Sequence, residues 1–144
     1  MASYFTLKEL CMSNVAKSRG IDNFPTFEIA AHLEELTVKL LDPLRQAWGG
    51  AIIVTSGYRC KMLNTAVGGA VRSAHMEGYA ADLYPANGRT EELITFAREW
   101  AEKCHIRYDQ LIHETDKRGG LWLHIGLYGP GGVQRGQYLE LMKQ

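Results

Sequence analysis

The chain has 144 residues, with 16 Lys and Arg against 16 Asp and Glu, a formal charge of zero, 46% hydrophobic and 22% charged residues. A chain of this length buries roughly 68–70% of its unfolded surface around one core without help from disulfides or metal, and the composition excludes a disordered, collagen-like or coiled-coil protein. Balanced charge also argues against nucleic-acid or anionic-membrane binding built on excess Lys and Arg. The three cysteines, Cys11, Cys60 and Cys104, lack CxxC spacing and fit neither a disulfide framework nor a thiolate zinc knuckle.

The first residues hold no basic leader followed by an apolar run, and no stretch approaches the eighteen apolar residues of a membrane span. The expectation is therefore synthesis in the cytoplasm without a signal peptide and no membrane insertion.

Thr6-Leu-Lys-Glu9 has the form of a capping box and predicts a helix to about Lys17, with Gly20 as its stop. After the Asn23–Thr26 loop, Ile29, Leu33, Leu36, Leu40, Leu44 and Ala47 recur in steps of three and four, the strongest helical pattern in the chain. Pro43 must kink or restart that helix, with Asp42 as a new cap. Ala51–Thr55 is short, apolar and β-branched, and reads as a buried strand before Ser56-Gly57. Cys60–Val67 predicts one or two helical turns, and a glycine-rich loop runs through Gly68-Gly69 to Ser73. A strand is expected over Ala80–Tyr84, closed by Pro85, and a helix capped by Thr90 through Leu93, Ile94, Ala97, Trp100 and Ala101. Strands near Tyr108–Glu114 and Leu121–Leu127 flank Asp116–Gly120 as a hairpin. The stretch from Gly129 to Gly136 is glycine-rich, and Tyr138–Met142 reads as an edge strand or a helical turn. With helices first and strands later, the pattern predicts an α+β fold with an antiparallel sheet, as a single domain over 1–144.

The chemistry concentrates in Ser73-Ala-His-Met-Glu-Gly-Tyr-Ala-Ala-Asp82 and in Trp122-Leu-His124. Imidazole nitrogen and carboxylate oxygen are normal zinc ligands, and a catalytic zinc uses three protein ligands with one position open. His75, Asp82 and His124 supply such a set. Gly78 permits a tight backbone path, and Ala80 and Ala81 lead into a strand that presents Asp82.

These residues resemble the zinc D-alanyl-D-alanine carboxypeptidases, including phage and prophage endolysin peptidases and, more distantly, the hedgehog signalling domain. Further landmarks follow in order: Phe5–Leu10, Leu41-Asp-Pro-Leu-Arg45, Thr55-Ser-Gly-Tyr-Arg59, Asn64, Gly68-Gly69 and Asp109-Gln-Leu-Ile112. The likeness spans about residues 4–128 and leaves the tail, 129–144, unmatched. It implies a zinc ion on one face of an antiparallel sheet, held by His75, Asp82 and His124, with Arg59 and Ser73 nearby to engage a substrate carboxylate or carbonyl.

Several branches of that family place Glu or His two or three residues before the second histidine, where this chain has Trp122 and Leu121. Strand parity offers a substitute. Leu121, Leu123, Ile125 and Leu127 form a core-facing row, leaving Trp122, His124 and Gly126 on the site face. If Leu111 joins the core row, Gln110, Ile112 and Glu114 share the face of His124, and Glu114 is the expected general base. A one-residue shift of register would instead present Asp109 or His113. Trp122 stands equally as a core aromatic or a substrate wall.

The expected activity is zinc-dependent hydrolysis of an amide bond in peptidoglycan stem peptides by a monomer. It would act at the bacterial cell wall, in the setting of phage or prophage lysis. Trimming of a terminal D-alanine and cleavage within a stem both fit the sequence. The rival expectation is a noncatalytic wall-binding or virion module that keeps zinc for structure.

Overall fold

A computed structural model describes residues 3–143. Helix α1 (Leu7–Cys11) opens on the predicted capping box, in which Thr6 Oγ1 accepts from the Glu9 N–H and the Glu9 carboxylate accepts from the Thr6 N–H. The helix expected to reach Lys17 is in fact two. The backbone turns extended at Met12, and Ser13 Oγ accepts from the Ala16 N–H to start α2 (Asn14–Arg19), which ends at left-handed Gly20.

The long apolar pattern forms α3 (Phe27–Leu36) and α4 (Asp42–Trp48), joined without a break by a π-helical turn over Thr37–Leu41. Pro43 has no N–H for the carbonyl four residues back, and a widened turn absorbs its ring. Asp42 does not act as the cap. Its carboxylate instead accepts from the Tyr4 N–H at 3.0 Å and Ser3 Oγ at 3.2 Å, tying the N-terminal segment to α4.

Five strands follow: β1 (Ile52–Ser56), β2 (Ala80–Pro85), β3 (Gln110–Asp116), β4 (Leu121–Gly126) and β5 (Gln137–Lys143), in the spatial order β1-β2-β4-β3-β5. The first four pair antiparallel, and β5 joins the edge parallel to β3. The α+β expectation holds, with one parallel edge strand added by the tail. Short helix α5 (Lys61–Ala66) and a 3-10 turn over Ala74–Glu77 lie between β1 and β2, and α6 (Thr90–Lys103) lies between β2 and β3. Thr90 is the first residue of α6 rather than its cap; Arg89 holds the cap position with no capping side chain.

Leu33, Leu36, Leu40, Leu41 and Leu44 pack with Leu93, Ile94 and Ala97 of α6 against Leu83, Leu111, Leu123 and Ile125 of the sheet, all essentially inaccessible. Each such side chain contributes about 1.5–3 kcal/mol relative to its exposed state. This packing fixes the parity of β2, β3 and β4, because slipping one of them by one residue would carry Leu83, Leu111 or Leu123 out of the core. The other sheet face is thereby released for polar residues. Among the described residues no helix is long and apolar enough to cross a membrane.

Candidate metal centre and substrate cavity

Alternation along two neighbouring strands makes the centre. In β2, Ala81 and Leu83 point into the core and Asp82 points away; in β4, Leu123 and Ile125 do the same around His124. Register then sets Asp82 directly opposite His124. His75 arrives from the 3-10 turn, which Gly78 ends in a left-handed conformation, φ 77°. A Cβ on Gly78 would also come within 3.0 Å of the Ile29 carbonyl oxygen, so both conformation and space require glycine there.

Three donor atoms converge. His75 Nε2 lies 3.2 Å from Asp82 Oδ1 and 3.2 Å from His124 Nδ1, and His124 Nδ1 lies 3.1 Å from Asp82 Oδ1. Ligands about 2.0–2.1 Å from a tetrahedral zinc stand about 3.3 Å apart, so this triangle has the size the metal asks for. Its lone pairs point the same way. His75 Nδ1 donates to the Gly57 carbonyl at 2.7 Å, which leaves the Nε2 lone pair of the neutral ring facing the cluster. Asp82 can only accept, and His124 Nδ1 carries at most one proton. At least one pair of acceptors is thus left face to face, a contact that a cation relieves.

The electrostatics suit a cation as well. Burial pushes the His75 imidazole down, outweighing the upward pull of Asp82. Burial alone would raise the Asp82 carboxyl, but His75 and His124 beside it hold it well below the usual carboxylate range. Neutral imidazole and ionised carboxylate are the forms that bind metal.

The Thr55–Arg59 segment braces this cluster. Gly57 passes so close to α1 that a Cβ would sit 2.1 Å from the Leu10 carbonyl oxygen, and the same oxygen accepts from the Tyr58 N–H at 2.7 Å. The Arg59 N–H donates to the His75 carbonyl at 3.1 Å. Its guanidinium is buried, with Nη2 donating to Ser73 Oγ at 3.4 Å and Nε without a partner among the described residues. Ser73 Oγ also accepts from the His75 N–H at 3.1 Å, capping the ligand turn. Asn64 Nδ2 donates to the Ala70 carbonyl, and a Cβ at Gly69 would fall 2.0 Å from Asn64 Oδ1, which accounts for both residues as loop braces.

Leu111 faces the core, and the β3–β4 register pairs Ile112 with His124 and Glu114 with Trp122. Glu114 therefore stands on the face of the cluster, where Trp122 Nε1 donates to its Oε1 at 3.0 Å. His113 points the other way, toward Glu91 Oε1 at 2.8 Å. Asp109 borders the cavity but is bound by Arg135 through two side-chain bonds of 2.8 and 2.7 Å and one from the Arg135 N–H at 3.1 Å. That clamp is absent from the sequence reading. A Cβ at Gly129 would sit 2.6 Å from Asp109 Oδ2 and 2.9 Å from Arg135 Nη2, so the backbone there packs directly on the clamp.

A cavity of about 280 Å³ covers the cluster, and Arg59, Ser73, Glu114 and the tail residues Arg135, Leu139, Leu141 and Lys143 line it. Trp122 lines an adjoining groove that shares Arg59, Asp82 and Lys143 with it.

A family model described as Peptidase M15 matches residues 3–114. The chain belongs to the M15 peptidase family. No curated protein matches it significantly. M15 peptidases are zinc-dependent hydrolases that act on peptidoglycan, and the histidine–aspartate–histidine cluster has the donors such an enzyme needs. The M15 match contains Arg59, Ser73, His75, Asp82 and Glu114 and ends before His124, which joins the centre through the β2–β4 register.

Proposed function

We propose that this M15 peptidase hydrolyses an amide bond of peptidoglycan stem peptides, with His75, Asp82 and His124 holding zinc. The observation that carries the reading is the triangle of converging ligand atoms beneath a cavity that also holds a carboxylate and a buried guanidinium. Zinc bound there supplies Lewis acidity that makes water nucleophilic near neutral pH.

The remaining steps belong to the chain's own groups. Glu114 spends Oε1 on the Trp122 N–H and keeps Oε2 to take a proton from the attacking water and return it to the leaving amine. Arg59 lines the cavity, and its guanidinium is suited to a substrate carboxylate or to negative charge developing on the carbonyl oxygen. Ser73 keeps that guanidinium in place and acts as a positioning residue, not a nucleophile. Trp122 orients the base and walls the neighbouring groove. The setting we assign is degradation of bacterial wall, as in the phage and prophage peptidases this chain resembles.

The test is digestion of purified peptidoglycan with and without a chelator, followed by mass spectrometry of the new termini. Free D-alanine identifies trimming, and new internal termini identify endopeptidase action. Activity that survives both chelation and His75→Ala would sink the zinc reading.

A further inference from the structure

The sheet face that carries Glu114 and His124 does not end at β3. β5 pairs parallel with β3, setting Leu139 beside Ile112, Leu141 beside Glu114 and Lys143 beside Asp116. Alternate side chains of a strand share a face, and Leu139, Leu141 and Lys143 all line the cavity. Tyr138, on the opposite face, packs on the core and lies under the Arg98 guanidinium at 3.6 Å. Leu139 and Leu141 take no part in the core, and Leu141 is 48% exposed.

Lys143 departs from what an edge-guarding lysine does. Such a residue stands in water to discourage strand pairing. Lys143 is instead half-buried where the cavity and the adjoining groove meet. It forms no ion pair among the described residues. Asp116, its register neighbour, already accepts from the Arg118 and Gly120 N–H groups through Oδ1, and Glu114 is held by Trp122. The strand is fixed in place beforehand. Gly136 and Gln137 donate to the carbonyls of Tyr108 and Asp109, and the Asp109–Arg135 clamp anchors the loop ahead of them.

We propose that β5 is the specificity wall of this site: Leu139 and Leu141 seat the aliphatic chain of a stem residue, and Lys143 binds a carboxylate at its end. The inference rests on the reading of the cavity as a peptidoglycan peptidase site. Two stem residues share such a chain and differ at its tip. Diaminopimelate carries a carboxylate there and lysine only an ammonium, so an ammonium on the wall attracts the first and repels the second.

The zinc-loaded protein is assayed on soluble stem peptides containing diaminopimelate or lysine, with Lys143→Gln and Leu141→Ser alongside and thermal melting as the folding control. Wild type is expected to favour the diaminopimelate peptide by about tenfold in kcat/KM. Lys143→Gln should bring the ratio below about twofold, mostly through KM, and Leu141→Ser should raise KM for both. A preference that persists in Lys143→Gln overturns the proposal. Methyl chemical shifts of Leu139 and Leu141, titrated with the diaminopimelate peptide, separate the two readings. Methyl shifts without hydrolysis sink the peptidase assignment alone, whereas hydrolysis without shifts sinks the wall alone.

Discussion

Trp122 Nε1 donates to Glu114 Oε1 at 3.0 Å across the β3–β4 ladder, in the same register that sets Ile112 opposite His124. The indole thus fixes one oxygen of the carboxylate and leaves the other free of that bond. Trp122→Phe keeps the ring and removes the donor. A hydrogen bond to a charged group is worth about 1.5–3 kcal/mol, and a base that loses its orientation should lower kcat about tenfold with little change in KM. Glu114→Gln should lower kcat by about 10²–10⁴. Steady-state kinetics on one stem peptide compares all three proteins, and full activity in Glu114→Gln would remove Glu114 as the base.

Gly57 joins the candidate metal centre and the fold in one residue. Its carbonyl accepts from His75 Nδ1, and its Cα leaves no room for a side chain against the Leu10 carbonyl. Because the obstacle is backbone, it cannot swing aside. Gly57→Ala should destabilise the protein by about 2 kcal/mol or more and weaken zinc binding about 10–100-fold, the usual cost of losing a partner that orients a ligand. Urea unfolding and competition with a chromophoric chelator measure the two effects.

Asp109 sets an acid limit on stability. Burial alone would raise its carboxyl, but the hydrogen bonds from Arg135 outweigh that and hold it below the ordinary value. A carboxylate with a depressed folded-state pKa adds stability that is fully present above the unfolded value of about 3.9 and is lost as pH falls through the lower folded value. Asp109→Asn should therefore cost about 1.5–3 kcal/mol at pH 7, with the gap to wild type closing below about pH 4. Urea denaturation from pH 7 to pH 3 tests this. Taking the difference between the two proteins cancels the carboxylates they share, and a gap that stays constant across that range refutes the linkage.

What could be read from the sequence was what depends on local spacing and strand parity. The Thr6–Glu9 box, the leucine pattern of α3 and α4, and the alternation around Asp82 and His124 are short-range, and in the strands one buried face sets the parity. Parity also placed Glu114 with His124 once Leu111 was taken into the core. What escaped depends on contacts far apart in the chain. Asp42 looked like a cap because its partners at Ser3 and Tyr4 lie in the distant N-terminal segment. The tail was ambiguous because a parallel edge strand has no hairpin turn to announce it, and the Asp109–Arg135 clamp joins two residues far apart in the chain.

His32 touches the turn that carries His75 from the side of α3. It sits on α3, where Nδ1 donates to the Glu77 carbonyl at 2.6 Å and the ring stacks on Tyr79 with centroids 4.2 Å apart. Glu77 ends the turn that carries His75, so α3 holds that turn through Glu77 while Gly57 holds it through His75. His32→Phe preserves the stacked ring and removes only the N–H, whereas His32→Ala removes both. If the hydrogen bond is what holds the turn, the two variants should lose zinc affinity alike, about threefold to tenfold, with His32→Ala losing more thermal stability. A His32→Phe protein that binds zinc within twofold of wild type would assign the rigidity of the turn to the Ser73 cap and the Gly57 carbonyl, leaving His32 a packing role against Tyr79.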